Sequence, residues 1–139
     1  MKNEWSSSWI SSRQPRKQRK YLHNAPLHVK RKFLSAGLSP ALRERYGRRS
    51  MVIRKGDDVV IMRGSLKGKK GTVERVSIEK GKIYLEGIKS KKVDGSEVGK
   101  PITPSNVQIV KLSMEDKRRQ AVLERSPKKR PAAKKEKGE

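Results

Sequence analysis

Residues 55–73 read KGDDVVIMRGSLKGKKGTV, in which two apolar runs flank a segment dense in glycine and lysine. In the first run Val59 and Ile61 alternate with Val60 and Met62, and a period of two residues is that of a β-strand. The second run follows directly after the last glycine. These residues therefore predict a strand, a tight loop and a second strand.

The loop between these two strands carries groups that suit a phosphate backbone. Glycine lets a backbone approach a partner closely or adopt positive φ, and lysine ammonium groups neutralise phosphates. The alternative, in which the glycines only shape a tight loop and the lysines only solvate it, stays open. We assign loop shaping to Gly64, Gly68 and Gly71, and contact with a phosphate backbone to Arg63, Lys67, Lys69 and Lys70.

Residues beyond this unit continue the period of two, in short alternating pairs separated by turn residues. Residues 79–81 and 94–95 predict turns, and Gly87 predicts a bulge. About five short strands joined by tight turns describe a mostly β fold, a small barrel over residues 51–112 that we expect to fold by itself. The alternating pairs are Val76 and Ile78, Ile83 and Leu85, and Val107 and Ile109.

Two short helices are predicted in the N-terminal part. Residues 26–36 place apolar side chains on one helical face, with Gly37 as a stop. Pro40 suits the first position of a second helix, over residues 40–46, and Gly47 suits its left-handed C-terminal residue.

A C-terminal helix is predicted over residues 113–125. Ser113 and Asp116 have the spacing of an N-terminal cap, which makes Ser113 the expected start. Residues 126–139 are Lys, Glu, Pro, Ala and Gly with few others and no large apolar side chain. We expect this tail to be disordered.

The net charge is +23, from 37 Lys and Arg against 14 Asp and Glu. Residues 1–50 carry a net +11, residues 51–112 a net +7 and residues 113–139 a net +5. Charge of this size on a small chain implies a polyanionic partner, because self-repulsion would otherwise disfavour a compact state. Nucleic acid is the partner we predict.

Residues 1–50 form a basic arm in which basic clusters alternate with aromatic residues. Arginine pairs with phosphates and aromatic rings stack on unpaired bases, so this mixture suits folded RNA; packing of Trp5 and Trp9 onto the protein is an open alternative. The Ser- and Arg-rich start also resembles a transit peptide, but the basic pattern continues past residue 20, and we expect the arm to be retained. Further RNA contacts are predicted at Arg13, Arg16, Lys17, Arg19, Lys20, His23, His28, Lys30, Arg31, Lys32, Arg43, Arg48, Arg49, Arg54 and Lys55.

The sequence offers no support for an enzyme. The absence of cysteine excludes disulfides, thiolate zinc sites and cysteine nucleophiles, and the two histidines have no acidic partners, so we predict no metal and no cofactor. Gly64 to Lys69 is one residue too short for a P-loop, and a strand follows where a helix is needed. Residues 68–71 match the GXXG clamp of KH domains, but that clamp joins helices. Asp57 and Asp58 predict a turn before a strand rather than an acidic site. The longest apolar run, residues 59–62, is too short for membrane insertion.

Residues 55–73 resemble a KOW motif, the strand-loop-strand unit of an SH3-like barrel. The surrounding matches narrow the resemblance to the universal large-subunit ribosomal protein family numbered twenty-four in bacteria and twenty-six in eukaryotes, in its archaeal and eukaryotic form. It covers about residues 13–125. The matching segments are RK at 19–20, NAPLHVKRK at 24–32, LSPALR at 38–43, Tyr46, RSMVIRK at 49–55 and PSNV at 104–107.

This resemblance implies a function as well as a fold. It implies an SH3-like (KOW) barrel that binds large-subunit ribosomal RNA and neighbouring ribosomal proteins, supports early subunit assembly and lies near the polypeptide exit tunnel of cytoplasmic ribosomes. It implies neither a small-molecule substrate nor catalysis. Bacterial members start close to the barrel, so the arm is similar to the archaeal and eukaryotic pattern, whereas the first dozen residues depart from it.

Two other classes of function fit the sequence less well. A KOW module of a transcription elongation factor would dock its barrel on polymerase, but that docking does not require a net +11 outside the barrel. A basic protein that binds membrane surfaces would need an amphipathic helix with a wide apolar face, which the arm lacks.

Overall fold

The computed structural model of the chain describes residues 5–6 and 12–125. The tail predicted to be disordered and Trp9 lie outside the described residues. The elements in chain order are α1 (Pro15–Asn24), α2 (Leu27–Phe33), β1 (Ser35–Leu38), α3 (Pro40–Tyr46), β2 (Ser50–Val52), β3 (Asp58–Ile61), β4 (Lys70–Ser77), β5 (Lys82–Leu85), β6 (Lys89–Lys91), β7 (Glu97–Gly99), a 3₁₀ turn (Pro104–Asn106), β8 (Val107–Lys111) and α4 (Lys117–Glu124).

Six of these strands form one sheet in the order β2-β1-β8-β3-β4-β5. Strand β1 pairs antiparallel with β2 and parallel with β8, and the other neighbours in the sheet are antiparallel. Strands β2 and β5 are the two edges, and no hydrogen-bonded ladder joins them among the described residues. The mixed architecture of one sheet with short helices is established, and closure into an SH3-like barrel is not confirmed.

The core lies on one face of the strands, because buried and half-buried residues alternate along them. Strands β1, β3 and β5 each show this alternation over four residues. The alternation predicted from the sequence is thereby confirmed for three pairs of neighbouring core residues. Those pairs are Val59 and Ile61, Ile83 and Leu85, and Val107 and Ile109, each at most 3% exposed.

In β4 the predicted alternation is only partly present. Val73 is buried at 1% exposure, and Val76 is half-buried and packs against the core. Ile78 is half-buried and lies in the turn after the strand ends at Ser77. The register with β5 shifts between Val73 and Arg75, and the extra residue of such a bulge lets Val73 and Val76, three positions apart, both face the core. Gly87, where the bulge was expected, instead lies in the turn after β5 with φ of 72°.

The N-terminal part contributes a strand that the sequence pattern does not predict. Helix α2 ends at Phe33, three residues before the predicted end, and Ser35–Leu38 is β1. Gly37 is therefore a strand residue that pairs with β2 and β8, not a helix stop. The sheet extends across the boundary drawn between residues 50 and 51, which falls inside β2.

Helix α1 was not predicted from the sequence, and the other two helices, α3 and α4, test the capping predictions. Helix α3 spans Pro40–Tyr46 as predicted, with Pro at its first turn and Gly47 at φ of 63°. Helix α4 begins at Lys117 rather than at Ser113, because Asp116 is the N-cap and its carboxylate accepts a hydrogen bond from the Arg118 backbone N–H. Its end at Glu124 agrees with the prediction.

Strands β6 and β7 form a separate two-stranded hairpin. Asp94 and Gly95 lie in its turn, as predicted, and the Asp94 carboxylate accepts hydrogen bonds from the hydroxyl and backbone N–H of Ser96. These bonds, the hydroxyl first, lower the pKa of Asp94. In the described part of the chain, no helix is long and apolar enough to span a bilayer.

Candidate nucleic-acid interface

The first group of predicted RNA-contacting residues lies on and before α1. Arg16, Arg19, Lys20 and His23 are spaced at i, i+3, i+4 and i+7, so they share one face of this helix. All are exposed, as are Arg13 and Lys17. The helix has no acidic residue in its first turn. It therefore presents a continuous cationic surface to solvent.

Aromatic side chains attach α1 to the rest of the protein. The Tyr21 ring lies 5.6 Å from the Trp5 ring and 6.2 Å from the Phe33 ring of α2, measured between centroids. Contacts at these distances are favourable in tilted and edge-on geometries. Trp5 thus packs within the protein, which is the alternative that the sequence left open for it.

The second group lies in the loop between β3 and β4. Arg63, Lys67 and Lys69 are exposed there, and Lys70 is the exposed first residue of β4. The loop is ordered by its own backbone, since the backbone N–H of Gly68 donates to the carbonyl of Ile61 at 2.8 Å. Three cationic side chains therefore project from one short turn.

The three glycines assigned to shape this loop have different roles. Gly64 and Gly68 have φ of 91° and 86°, where a side chain would be strained. Gly71 has no positive φ and is paired with Val59 inside β4. A Cβ at Gly71 would lie 3.4 Å from both Leu85 Cβ and the carbonyl oxygen of Glu86. Gly71 is therefore a strand residue that faces Leu85 of β5, not a residue that shapes the loop.

Substitution of Gly71 by valine is expected to lower the free energy of unfolding by about 1–3 kcal/mol, because the two γ carbons would crowd β5. Urea unfolding of the variant measures this change. Gly71→Ala is the matched control, since its single Cβ makes only an ordinary contact, and it should cost less. Equal stability of the valine variant and the parent would show that the space beside β5 is not limiting.

The third group lines a groove of about 630 Å³ between α2, β2 and α4. The groove brings together cations that are far apart in the sequence, and Asp116 is the carboxylate at its rim. Its cationic and histidine lining includes five predicted residues and two, Arg118 and Arg119, that were not among the predicted contacts. These residues are His28, Arg31, Lys32, Arg48, Arg54, Arg118 and Arg119.

Helix α4 is held against this groove by a buried ion pair. Arg119 donates from Nη1 and Nη2 to the two carboxylate oxygens of Asp57, at 2.6 and 2.7 Å. Asp57 and Arg119 are 0% and 3% exposed. The same carboxylate accepts the backbone N–H groups of Arg54 and Ser113, each at 2.9 Å. Asp57 thus ties α4 to the entry of β3, instead of only shaping a turn.

A signal for this pair is present in the sequence. Asp57 has the same phase as the core residues Val59 and Ile61, and a carboxylate on an inward face requires a cationic partner. Arg119 precedes the buried Leu123 by four residues and therefore shares its helical face. The two patterns together place an acid and a base on facing apolar surfaces.

A second carboxylate, Asp116, organises the rim of the groove. Arg54 pairs with it through Nη1. The backbone N–H of Arg118 lowers the pKa of Asp116 most, and Arg54 lowers this pKa further, against an upward effect of burial. Arg54, predicted to contact RNA, is therefore already bound to a carboxylate of the protein.

The remaining predicted residues are spread around these three groups. Arg43 donates from Nε to the carbonyl of Leu38 at 2.7 Å, so it supports the fold locally. Lys30 borders a smaller cavity beside Phe33, and Lys55 lines a neighbouring groove. Arg49 is exposed beside β2. The structure does not gather the predicted residues into one patch.

Comparison with known proteins identifies the family. Residues 12–126 match the sequence model of the ribosomal proteins described as L26 in eukaryotes and as the corresponding L24 protein in archaea. The chain belongs to this L26/L24 family of ribosomal proteins. Large ribosomal subunit protein uL24 of Methanosarcina barkeri (strain Fusaro / DSM 804) is 52% identical over 114 residues, which are 82% of this chain and 98% of that protein.

Membership of the L26/L24 family confirms the resemblance drawn from the sequence, including its archaeal and eukaryotic form. It identifies the chain as a ribosomal protein, located in the ribosome and thus in the cytoplasm. The match covers α1 through α4. The three cationic groups therefore lie within the part of the chain that defines the family.

Proposed function

We propose that the chain is a structural component of the large ribosomal subunit that binds ribosomal RNA through α1, the β3–β4 loop and the groove beside α4. One observation carries the proposal. Among the basic residues that the structure describes, only Arg54, Lys89 and Arg119 form ion pairs. The other described cations have no carboxylate partner within the described residues, and most of them are exposed.

The physical basis is neutralisation of the RNA backbone. Each phosphate contacted by Lys or Arg releases condensed counterions, and affinity then falls as salt rises. Three separated cationic groups on one small body can hold several RNA segments together where those segments would otherwise repel. No step of this function requires catalysis.

Finer aspects of the role are supported by the family resemblance. They include action early in subunit assembly, contact with neighbouring ribosomal proteins and a position near the polypeptide exit tunnel. The KOW resemblance of residues 55–73 supports an SH3-like origin for the sheet. The alternative role in a transcription elongation factor has no support from the family match.

The contribution of α1 is tested by changing Arg16, Lys17, Arg19 and Lys20 together to Gln. The slope of log affinity against log salt for large-subunit ribosomal RNA should fall by roughly 0.7–0.9 for each phosphate that the variant no longer neutralises. Stability should change little, because all four side chains are exposed. Electrophoretic mobility shifts at several salt concentrations measure the slope.

The matched control removes the same charge elsewhere. It changes four exposed lysines outside the predicted contacts to Gln, namely Lys80, Lys91, Lys92 and Lys111. The slope of log affinity against log salt for this control should stay closer to the slope of the parent than that of the α1 variant does. An equal decrease of the salt slope in the two variants would show that α1 contributes only through net charge and would contradict the assigned contact surface.

A further inference from the structure

The backbone of β4 has an unpaired edge beyond Val73, which is the last described residue of this strand to be bonded on the side of β3. Further along, Val76 lies opposite Ile83 of β5. The N–H and C=O of Ile83 are both bonded to Ile102 instead, each at 2.9 Å. Opposite residues of this kind exchange no hydrogen bonds, so both backbone groups of Val76 point away from β5.

These two backbone groups of Val76 have no partner in the part of the chain that the structure describes. No turn, loop or side-chain hydrogen bond reaches them, and the strand pairing leaves them free. A free N–H and C=O on the edge of a strand can pair with one more strand. The edge of β4 at Val76 therefore offers a place where an extended segment can be added to the sheet.

The edge of β4 at Val76 borders a groove of about 680 Å³, which lies between the end of β2 and the second half of β4. We call it the β2–β4 groove. Its volume is within the range of sites that hold ligands. Its apolar side chains would gain from contact with apolar side chains of an occupant. The apolar lining consists of Leu34, Val52, Ile53, Val76 and Ile78.

The charged lining of the β2–β4 groove is mostly cationic. Arg31, Lys55 and Arg75 are exposed and have no carboxylate partner among the described residues. A fourth cation, Arg54, is already in an ion pair, and Glu74 is the carboxylate of the lining. Three unpaired cations against one carboxylate favour an acidic occupant.

An extended peptide fits these features together, whereas a phosphodiester backbone does not. The C=O of Val76 needs a donor and its N–H needs an acceptor, and a strand of peptide supplies both. Phosphate oxygens supply acceptors only, and placing them against an apolar lining costs free energy of solvation. Side chains alternate between the two faces of a strand. A segment that alternates apolar and acidic residues thus presents one set to the apolar lining and the other to the cations.

We propose that the edge of β4 at Val76 is a protein-docking site, which an extended segment with alternating apolar and acidic side chains joins as an added strand. The inference rests on the proposed contact with neighbouring ribosomal proteins and states where, and by which chemistry, one such contact forms. The site differs from the groove beside α4 in its occupant, although Arg31, Val52 and Arg54 line both.

The strand pairing is tested with the acetylated and amidated peptide EVEVEVE, titrated into isotope-labelled full-length protein. The Val76 N–H signal should shift in NMR spectra and become protected from hydrogen exchange, because it gains an acceptor. Two control peptides carry N-methyl groups, one on every valine and the other on every glutamate. Successive residues of a strand direct their N–H groups to opposite sides, so one of these sets faces β4.

Methylation of the set that faces β4 should weaken binding about tenfold, because the hydrogen bonds to the edge are lost. The NMR titrations of the three peptides give the three affinities and identify the set. Equal affinities of the three peptides, or no response of Val76 to any of them, overturn the proposal.

The charge of the occupant is tested with the double variant Lys55→Gln and Arg75→Gln, whose affinity for EVEVEVE should fall about two- to tenfold. Lys55→Gln alone leaves the Arg75 guanidinium stacked on the Tyr84 ring, 4.4 Å from its centroid, and should act in the same direction. The matched control, Lys80→Gln with Lys111→Gln, changes two exposed lysines outside the groove lining. Equal losses of affinity in the two double variants overturn the acidic assignment.

Ribosomal RNA provides the comparison that separates this inference from the proposed function. Failure of the parent protein to bind large-subunit ribosomal RNA contradicts the proposed RNA binding, while the response of Val76 to EVEVEVE still decides the docking site. Normal RNA binding without a response of Val76 to the peptide contradicts only the inference. Protection of the Val76 N–H by RNA, but not by the peptide, assigns the edge to RNA and also overturns the inference.

Discussion

Asp57→Ala is expected to lower the free energy of unfolding by about 3–5 kcal/mol, the cost of leaving a buried charge without its partner. Arg119, only 3% exposed in the native protein, would remain buried with no carboxylate opposite it. The backbone N–H groups of Arg54 and Ser113 would also lose their acceptor. Urea or thermal unfolding, followed by circular dichroism, measures the loss.

Two controls sharpen this expectation. Asp58→Ala removes the neighbouring carboxylate, which is half-buried and accepts a hydrogen bond from the Thr72 hydroxyl at 3.0 Å, so about 1 kcal/mol is expected. Asp57→Ala combined with Arg119→Met removes both charges and should be less destabilising than Asp57→Ala alone. A double variant as unstable as the sum of its parts would show that the two charges do not interact.

A fragment of residues 51–112 is expected not to fold cooperatively, although the sequence suggested an independent unit with these bounds. It lacks β1, which lies between β2 and β8 in the sheet. The fragment also lacks Leu34 and Leu38, whose side chains are 1% and 0% exposed in the full protein. Their loss exposes the core residues that they cover, and each buried leucine contributes roughly 1.5–3 kcal/mol. A loss of this size equals much of the stability of a small domain.

The matched fragment spans residues 12–125 and retains β1 and α4. It should unfold in one cooperative transition at nearly the denaturant concentration of the full chain, because it contains the described sheet and core. Chemical denaturation of both fragments measures the cooperativity and the midpoint of each unfolding transition. A cooperative transition of similar midpoint in residues 51–112 would mean that β1 contributes little to the sheet.

Local chemistry makes much of the fold predictable. Helix α3 is predicted to the residue because proline and glycine have backbone preferences that act on their own. Strands β3, β5 and β8 carry strong alternation of β-branched and apolar residues. In these segments the local preference agrees with the final fold.

Among the features that the sequence does not predict, β1 and the groove depend on distant partners. Strand β1 has the sequence SAGL, of low intrinsic strand preference, and it is specified by its pairing with β8, in which Gly37 lies opposite Gln108. The groove likewise combines residues of α2 and β2 with Arg118 of α4. Charge clusters identified the kind of partner, but only tertiary contacts show which cations share a site.

The position of β8 also constrains the order in which the protein can fold during synthesis. Strands β1 and β2 form one pair and β3, β4 and β5 another unit, and β8 is the strand that joins them. Because β8 is made after all of these, the edges of β1 and β3 that pair with it stay unpaired, and the two halves cannot form one sheet until residue 107 is available. The newly made chain therefore passes through an interval of incomplete assembly in which aggregation competes with folding. An anionic partner that binds during that interval would contact an incomplete sheet rather than the folded protein.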